Sequence, residues 1–290
     1  MKKLILAALI GGLVAAGAVK FIGARPEPGA AASAQHQSAF ERVISTRVVR
    51  CAYAAFPPFL DVEPGKALSG IFHDVLEEAA KRLNLKVEWA EEVTYGTINT
   101  GFETGRYDAF CGGLWPAGSR APNTAFSRAV VWEPMGVWVR GDDSRFDGNI
   151  GKLNDPAYKI ADIDGDATTS MIDALFPKAG RAFAIQGQNI SDEIQQVMTN
   201  KADAMIADYI STERWLEKSP GGVKNLASDK PIFVIGVTIG FNQDEFALRD
   251  MFNVVLDDID RDGTVARTVK AYLGDKSNML FYKKSEFAPY

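Results

Sequence analysis

Residues 105–120 read G-R-Y-D-A-F-C-G-G-L-W-P-A-G-S-R. Tyr107 to Leu114 reads as a buried strand running into glycines, and the Pro116-Ala117-Gly118 segment after it is loop. The residues before it decide the class. Arg47 to Tyr53 (R-V-V-R-C-A-Y) is short and rich in β-branched residues, a strand stopped by Pro57-Pro58. Phe72, Val75, Leu76, Ala79, Ala80 and Leu83 recur at helical spacing, with Glu77, Glu78, Lys81 and Arg82 on the polar face. Leu85 to Trp89 alternates as a strand, and Thr94 to Thr104 suits a helix ended by Gly105. Strand, helix, strand, helix, strand predicts parallel pairing in an α/β layer.

The pattern repeats. Tyr158 to Ile163, Arg181 to Ile185 and Ala202 to Ala207 read as strands; a helix opens at Gly165–Thr169 and another covers Ser191 to Asn200. Two α/β blocks follow, near 46–135 and 141–236, the second bounded by apolar Met135–Arg140 and Gly236–Phe241. Helices at Phe246–Ile259 and Thr264–Tyr272 are expected to pack back onto the first block.

The chain has 290 residues, 47% hydrophobic and 24% charged, with formal charge −5. These values fit a globular protein of one large domain or two lobes and exclude wholesale disorder. The acidic balance argues against nucleic acid as a partner. Two histidines and two cysteines are too few for a metal site rich in either.

Lys2 and Lys3 precede an apolar run, Leu4 to Val19, short for a spanning helix and shaped like an export signal. Ala16-Gly17-Ala18 and Ala32-Ser33-Ala34 both fit a small-x-small cleavage site; an uncleaved anchor is the rival reading. Residues 35–45 read as a flexible tether. Losing residues 1–34 takes away four basic and one acidic residue, leaving 28 basic against 36 acidic, a formal −8.

Gly101 to Ala109 (G-F-E-T-G-R-Y-D-A), Gly113 to Arg120 followed by Phe126-Ser127, Asn200 to Asp208 (N-K-A-D-A-M-I-A-D) and Asp262-Gly263-Thr264 resemble, in order and spacing, motifs of the bacterial extracellular solute-binding proteins of family 3, the amino-acid-binding periplasmic type. The resemblance covers about residues 46–275. It implies a two-lobed type II periplasmic-binding fold, each lobe a mostly parallel sheet flanked by helices, joined by two hinge strands. The lobes would be 46–135 plus 242–290, and 136–241. The ligand would lie between them, at the carboxyl ends of the strands, where open α/β sheets bind ligands in general.

That resemblance assigns Arg120 to a ligand carboxylate, a task suited to a bidentate guanidinium; the alternative is a solvated surface arginine. Asp208, at a strand end, matches the residue that takes the ligand's amine, and equally suits a helix N-cap. In the Gly165 turn, Asp166 and Ala167 replace the family's usual residues ahead of Thr168. Asp166 is either a cap or, facing the cleft, a charge favouring cationic or hydroxyl-rich solutes. Gly113 ends its strand at the cleft. Phe56 matches an aromatic that covers the ligand, Tyr53 replaces a polar residue, and Trp115 replaces a small hydroxyl residue. Phe56 and Trp115 read either as an aromatic box for an ammonium group or as core.

Cys51 and Cys111 fall on neighbouring strands of the first lobe. Two buried free thiols are the first expectation and a disulfide the alternative, since directly facing positions on parallel strands suit a bond poorly. The expected function is a monomeric periplasmic protein, without cofactor or catalytic residues, that delivers an amino acid or amine-like solute to an ABC-type permease. Two rivals stand: a cyclohexadienyl- or arogenate-dehydratase-like enzyme using Asp166 or Asp208 as acid, and a membrane-tethered sensor.

Overall fold

A computed structural model describes residues 37–163, 166–183 and 190–280. The export segment and Gly165 lie outside them. The chain runs α1 (Ala39–Thr46), β1 (Val48–Tyr53), α2 (Ile71–Arg82), β2 (Lys86–Glu92), α3 (Ile98–Glu103), β3 (Ala109–Leu114), β4 (Thr124–Phe126) and β5 (Val131–Arg140). It continues with β6 (Lys159–Asp162), α4 (Ala167–Leu175), β7 (Gly180–Phe183), α5 (Ile190–Met198), β8 (Ala204–Asp208), α6 (Tyr209–Lys218), β9 (Val223–Asn225), β10 (Phe233–Asn242), α7 (Phe246–Arg261) and α8 (Thr264–Leu273). Short 3-10 turns cover Ile150–Leu153 and Gly274–Leu280.

The strands lie in the order β2-β1-β3-β10-β5-β8-β6-β7. Each end is parallel and each has its first strand in the middle, so the repeat legible in the sequence becomes two blocks mirrored about β10 and β5. These two strands cross between the blocks. Phe233–Val237 of β10 pairs antiparallel with Val131–Met135 of β5, while the rest of β10 reaches β3 and β4 and the rest of β5 reaches β8. This is the two-lobed α/β fold with two hinge strands.

A shared device locks both blocks. Arg50 N–H donates to Asp108 Oδ2 at 2.7 Å while Asp108 N–H donates to Arg50 O at 2.9 Å. Lys159 and Asp203 repeat the exchange at 2.8 and 2.7 Å. Asp108 is fully buried and is paired with Arg42 and Arg50, as a buried carboxylate must be. The two family-like Asp-Ala motifs therefore serve the scaffold.

Helix α2 buries Ile71, Phe72, Val75, Leu76, Ala79 and Ala80 against β2, β3 and the C-terminal helices, at roughly 1.5–3 kcal/mol for each large side chain. Leu248, Phe252, Val255, Leu256 and Ile259 of α7, with Val265 and Val269 of α8, share that core, so the chain's end packs on the first block. A separate core around Met135, Val137, Ile160, Ile172 and Ile206 fills the second.

The structure differs from two expectations. Ala39–Thr46 is a helix, so the tether reading fails from Ala39 onward: Ser38 and Glu41 form a capping box, and Ala39 and Phe40 N–H groups donate to Glu245 at 2.6 and 3.1 Å. Cys51 and Cys111 are disulfide-bonded rather than free. Cys51 faces Ala109, not Cys111; the offset of two residues makes this a diagonal pair with Cα atoms 5.5 Å apart, within bonding range.

Candidate functional site

β3 ends at Gly113 and Leu114, beside the crossing strands. Gly113 has φ of 93°, and a Cβ there would come 3.1 Å from Val237 Cγ1 and 3.5 Å from the Phe56 ring, so glycine is required. Phe56 opens a tight turn closed by reciprocal 2.9 Å hydrogen bonds with Leu60. Its ring meets Trp115 edge-on at 5.8 Å and Phe59 at 4.8 Å. Trp115 is half-buried and packs on the cores of both lobes. The pair is thus neither pure core nor an open box; it forms an apolar floor.

Arg120 is held above this floor. Its guanidinium donates to Trp115 O at 3.4 Å, lies 5.9 Å from the Tyr95 ring centre, and pairs with Asp166 at 3.1 Å. Both partners are mostly withdrawn from water, at 13% and 15% side-chain exposure, so Arg120 is not a solvated surface arginine. Asp166 occupies the N-cap of α4 yet makes no side-chain cap bond; its carboxylate turns to Arg120 in the other lobe. Behind it Ala167 and Thr168 are buried, and Thr168 Oγ1 has no hydrogen-bond partner.

Asp208 ends β8 and caps α6. Its Oδ1 accepts the Ser211 N–H at 2.6 Å, while Oδ2 is buried without a partner. The cap reading therefore holds, and half of the carboxylate stays free for a second task. Burial pushes its pKa up to about 6. From the other lobe, Pro57 O accepts from Ser211 Oγ at 3.2 Å and Asp61 pairs with Arg214 at 3.0 Å.

Sequence reasoning missed two groups. Tyr95 is half-buried, and Asp166, Arg120, Glu133 and Asp208 all act on its hydroxyl, which burial keeps un-ionised. Glu133, on β5, is fully buried; Oε2 accepts from Trp115 Nε1 at 2.6 Å and Oε1 has no partner. The clue was an acidic residue inside the apolar run Val130 to Val139, because a buried charge demands a reason. Tyr53 stands apart from these contacts; its ring meets Trp89 edge-on at 5.9 Å and Glu92 lies near it. His73 stacks on Trp89 with ring centres 5.2 Å apart. No cluster of described residues has the makings of a metal site.

Two α/β blocks joined by two crossing strands, with the Arg120 that follows β3 paired to the Asp166 that opens α4, have the architecture of a solute-binding protein. The chain belongs to the bacterial extracellular solute-binding proteins, family 3, whose model matches residues 48–275. A protein of Haemophilus influenzae named "Probable amino-acid ABC transporter-binding protein" is 20% identical over 222 residues, 76% of this chain and 81% of the relative. Among solved structures, the BvgS periplasmic VFT2 domain of Bordetella pertussis matches with a TM-score of 0.70 at 21% identity, covering 81% of this chain and 97% of that one. An ancestral amino-acid-binding protein described as a precursor of cyclohexadienyl dehydratase matches at 0.68 and 20%, covering 81% and 99%. The arginine-binding protein ArgBP of T. maritima, a mutant form, matches at 0.67 and 18%, covering 82% and 100%.

Proposed function

We propose that this protein captures an amino acid or amino-acid-like amine between its lobes, lobe 1 being 46–135 plus 242–290 and lobe 2 being 136–241, and passes it to an ABC-type permease. One observation carries the reading: around Tyr95 the cleft sets Arg120 of the first lobe against Asp166 and Asp208 of the second. The guanidinium takes the solute's carboxylate in two parallel hydrogen bonds. The free oxygen of Asp208 takes its ammonium group, and Phe56 and Trp115 carry its apolar part. Gly113 lets the backbone come close, and the α4 start at Asp166, Ala167 and Thr168 closes the cleft from the second lobe. Asp166 adds negative charge, so cationic solutes are favoured over acidic ones.

Closure follows from contact with both lobes at once: a solute that touches Arg120 and Asp208 together stabilises only the closed arrangement, which is the form a permease distinguishes. The protein works in the periplasm as a monomer, its residues 1–34 acting as an export signal, and needs no cofactor. The family and the Haemophilus influenzae relative support transport. No described helix is long and apolar enough to cross a membrane.

Thermal unfolding against a panel of amino acids, polyamines and betaines tests the reading. One chemical class is expected to raise the Tm, because it binds only the folded chain. No shift and no heat of binding across the panel would refute it. A second reading has one observation behind it: buried carboxyls with raised pKa at Glu133 and Asp208 are what an acid-catalysed dehydration needs. Turnover of prephenate or arogenate would establish that reading; binding without turnover is the expected result.

A further inference from the structure

Glu133 lies two residues before Met135, and Met135 faces Asp208 across the β5–β8 pair. Side chains two apart share a strand face, so Glu133 and Asp208 are diagonal neighbours on one face. Both are fully buried, and their side chains are within hydrogen-bonding reach of one another. Each has one oxygen satisfied, Glu133 Oε2 by Trp115 Nε1 and Asp208 Oδ1 by Ser211 N–H, and one that meets no donor. Two ionised carboxylates cannot bond each other, since both only accept. One proton between them supplies the missing donor and removes one of two like charges from a dry site.

We propose that Glu133 is a specificity-determining residue of the cleft: it shares one proton with Asp208, and the solute's N–H-bearing cation displaces that proton on binding. This rests on the reading in which Asp208 receives the amine, and it narrows the solute class. A primary ammonium or guanidinium group brings both the charge and the donors that the two orphan oxygens lack. A quaternary ammonium brings charge without donors and cannot replace the proton. The surroundings fit a cation. Asp166 adds negative charge at the start of α4, Arg120 is already matched by it, and Tyr95 stays neutral. Burial and the neighbouring Asp208 hold Glu133 well above the usual carboxylate range. Glu133 thus meets the solute's cation beside Asp208 and is a binding residue.

Two measurements on the whole exported chain test this. The first needs no solute: infrared difference titration of the native protein is expected to show, besides the bands of other buried carboxyls, a carboxylic-acid band of the Glu133–Asp208 pair that persists above the usual carboxylate range and is lost or shifted in Glu133→Gln. Absence of that band from the native protein, or its unshifted persistence in the variant, overturns the proposal. The second is calorimetry with lysine, arginine, glutamine and lysine trimethylated on its α-amine, in phosphate and in Tris. Native protein is expected to give a binding heat that differs between the buffers, an affinity that rises with pH up to tenfold per unit below about pH 6, and at least tenfold preference for the unmethylated solute. Glu133→Gln, an isosteric change whose folding is checked by its unfolding curve, should lose the buffer and pH dependence. Equal heats in the two buffers, or an unaltered pH profile in the variant, would overturn the proposal while leaving amine binding intact. If the band is present and no panel member binds, the amine reading falls and the shared proton stands.

Discussion

The Arg120 guanidinium meets the Asp166 carboxylate at 3.1 Å, tying the segment after β3 to the start of α4. An incoming solute carboxylate therefore reaches a guanidinium that already has a partner. Arg120 has more than one N–H edge, so it can hold both, but the internal partner fixes the charge the site presents.

Asp166→Asn removes that partner's charge. The ratio of Kd values for lysine and glutamine is expected to shift by about tenfold toward glutamine, equal to ~1.4 kcal/mol. Calorimetry of both amino acids on both proteins measures it. An unchanged ratio would remove Asp166 from the solute's surroundings.

The Cys51–Cys111 bond closes a separation of 60 residues between β1 and β3. Loop closure of that size is worth about 4 kcal/mol in the chain-entropy account, and measured losses typically run about 2–4 kcal/mol. Urea unfolding of Cys51→Ala/Cys111→Ala should show a lower midpoint by that amount with native-like binding retained. Equal midpoints would mean that the bond adds nothing to stability.

Gly113→Ala tests the tight end of β3. The positive φ and the 3.1 Å approach to Val237 Cγ1 give an expected loss of about 1–3 kcal/mol. A Cβ there would only touch the Phe56 ring, at 3.5 Å, so the loss is expected in stability first. A variant as stable as the native protein would contradict the packing described.

How far the sequence carried these assignments differs by region. The hydrophobic periodicities of α2, α7 and the central strands were plain because each buries one continuous stripe. α1 was hidden: the stretch rich in Ala, Pro and Ser before it looks like a tether, and only the Ser38/Glu41 box, four residues long, marks a helix start. Arg120, Asp166 and Asp208 were legible because each stands at an element boundary, where side chains are free to serve a site. Glu133 was not, since it sits mid-strand in β5, before the point where the expected hinge strand begins at Met135. Its role depends on register against β8, which no single stretch of sequence contains. The diagonal offset of the two cysteines is a matter of register in the same way.

The pH dependence of stability has a definite sign. Asp208 is raised to about 6, and Glu133 and Glu193 are raised as well, all chiefly by burial. The folded chain therefore keeps protons that the unfolded chain has already lost between about pH 4 and pH 6. These groups add stability at low pH; Asp208 withdraws its share as pH rises through about 6, and Glu133 and Glu193 withdraw theirs as each ionises above the usual carboxylate range. Denaturant midpoints taken across this window should fall with pH for the native protein and fall less for Glu133→Gln. Identical slopes would deny Glu133 its raised pKa.

The most direct test of the account is a calorimetric cycle on Arg120. The amino acid that binds and the amine lacking only its carboxylate are titrated into native protein and Arg120→Ala. The account predicts that losing the carboxylate weakens binding to the native protein at least tenfold and leaves the affinity of Arg120→Ala unchanged. A carboxylate penalty that persists undiminished in Arg120→Ala, or native affinity of that variant for the amino acid, would contradict it.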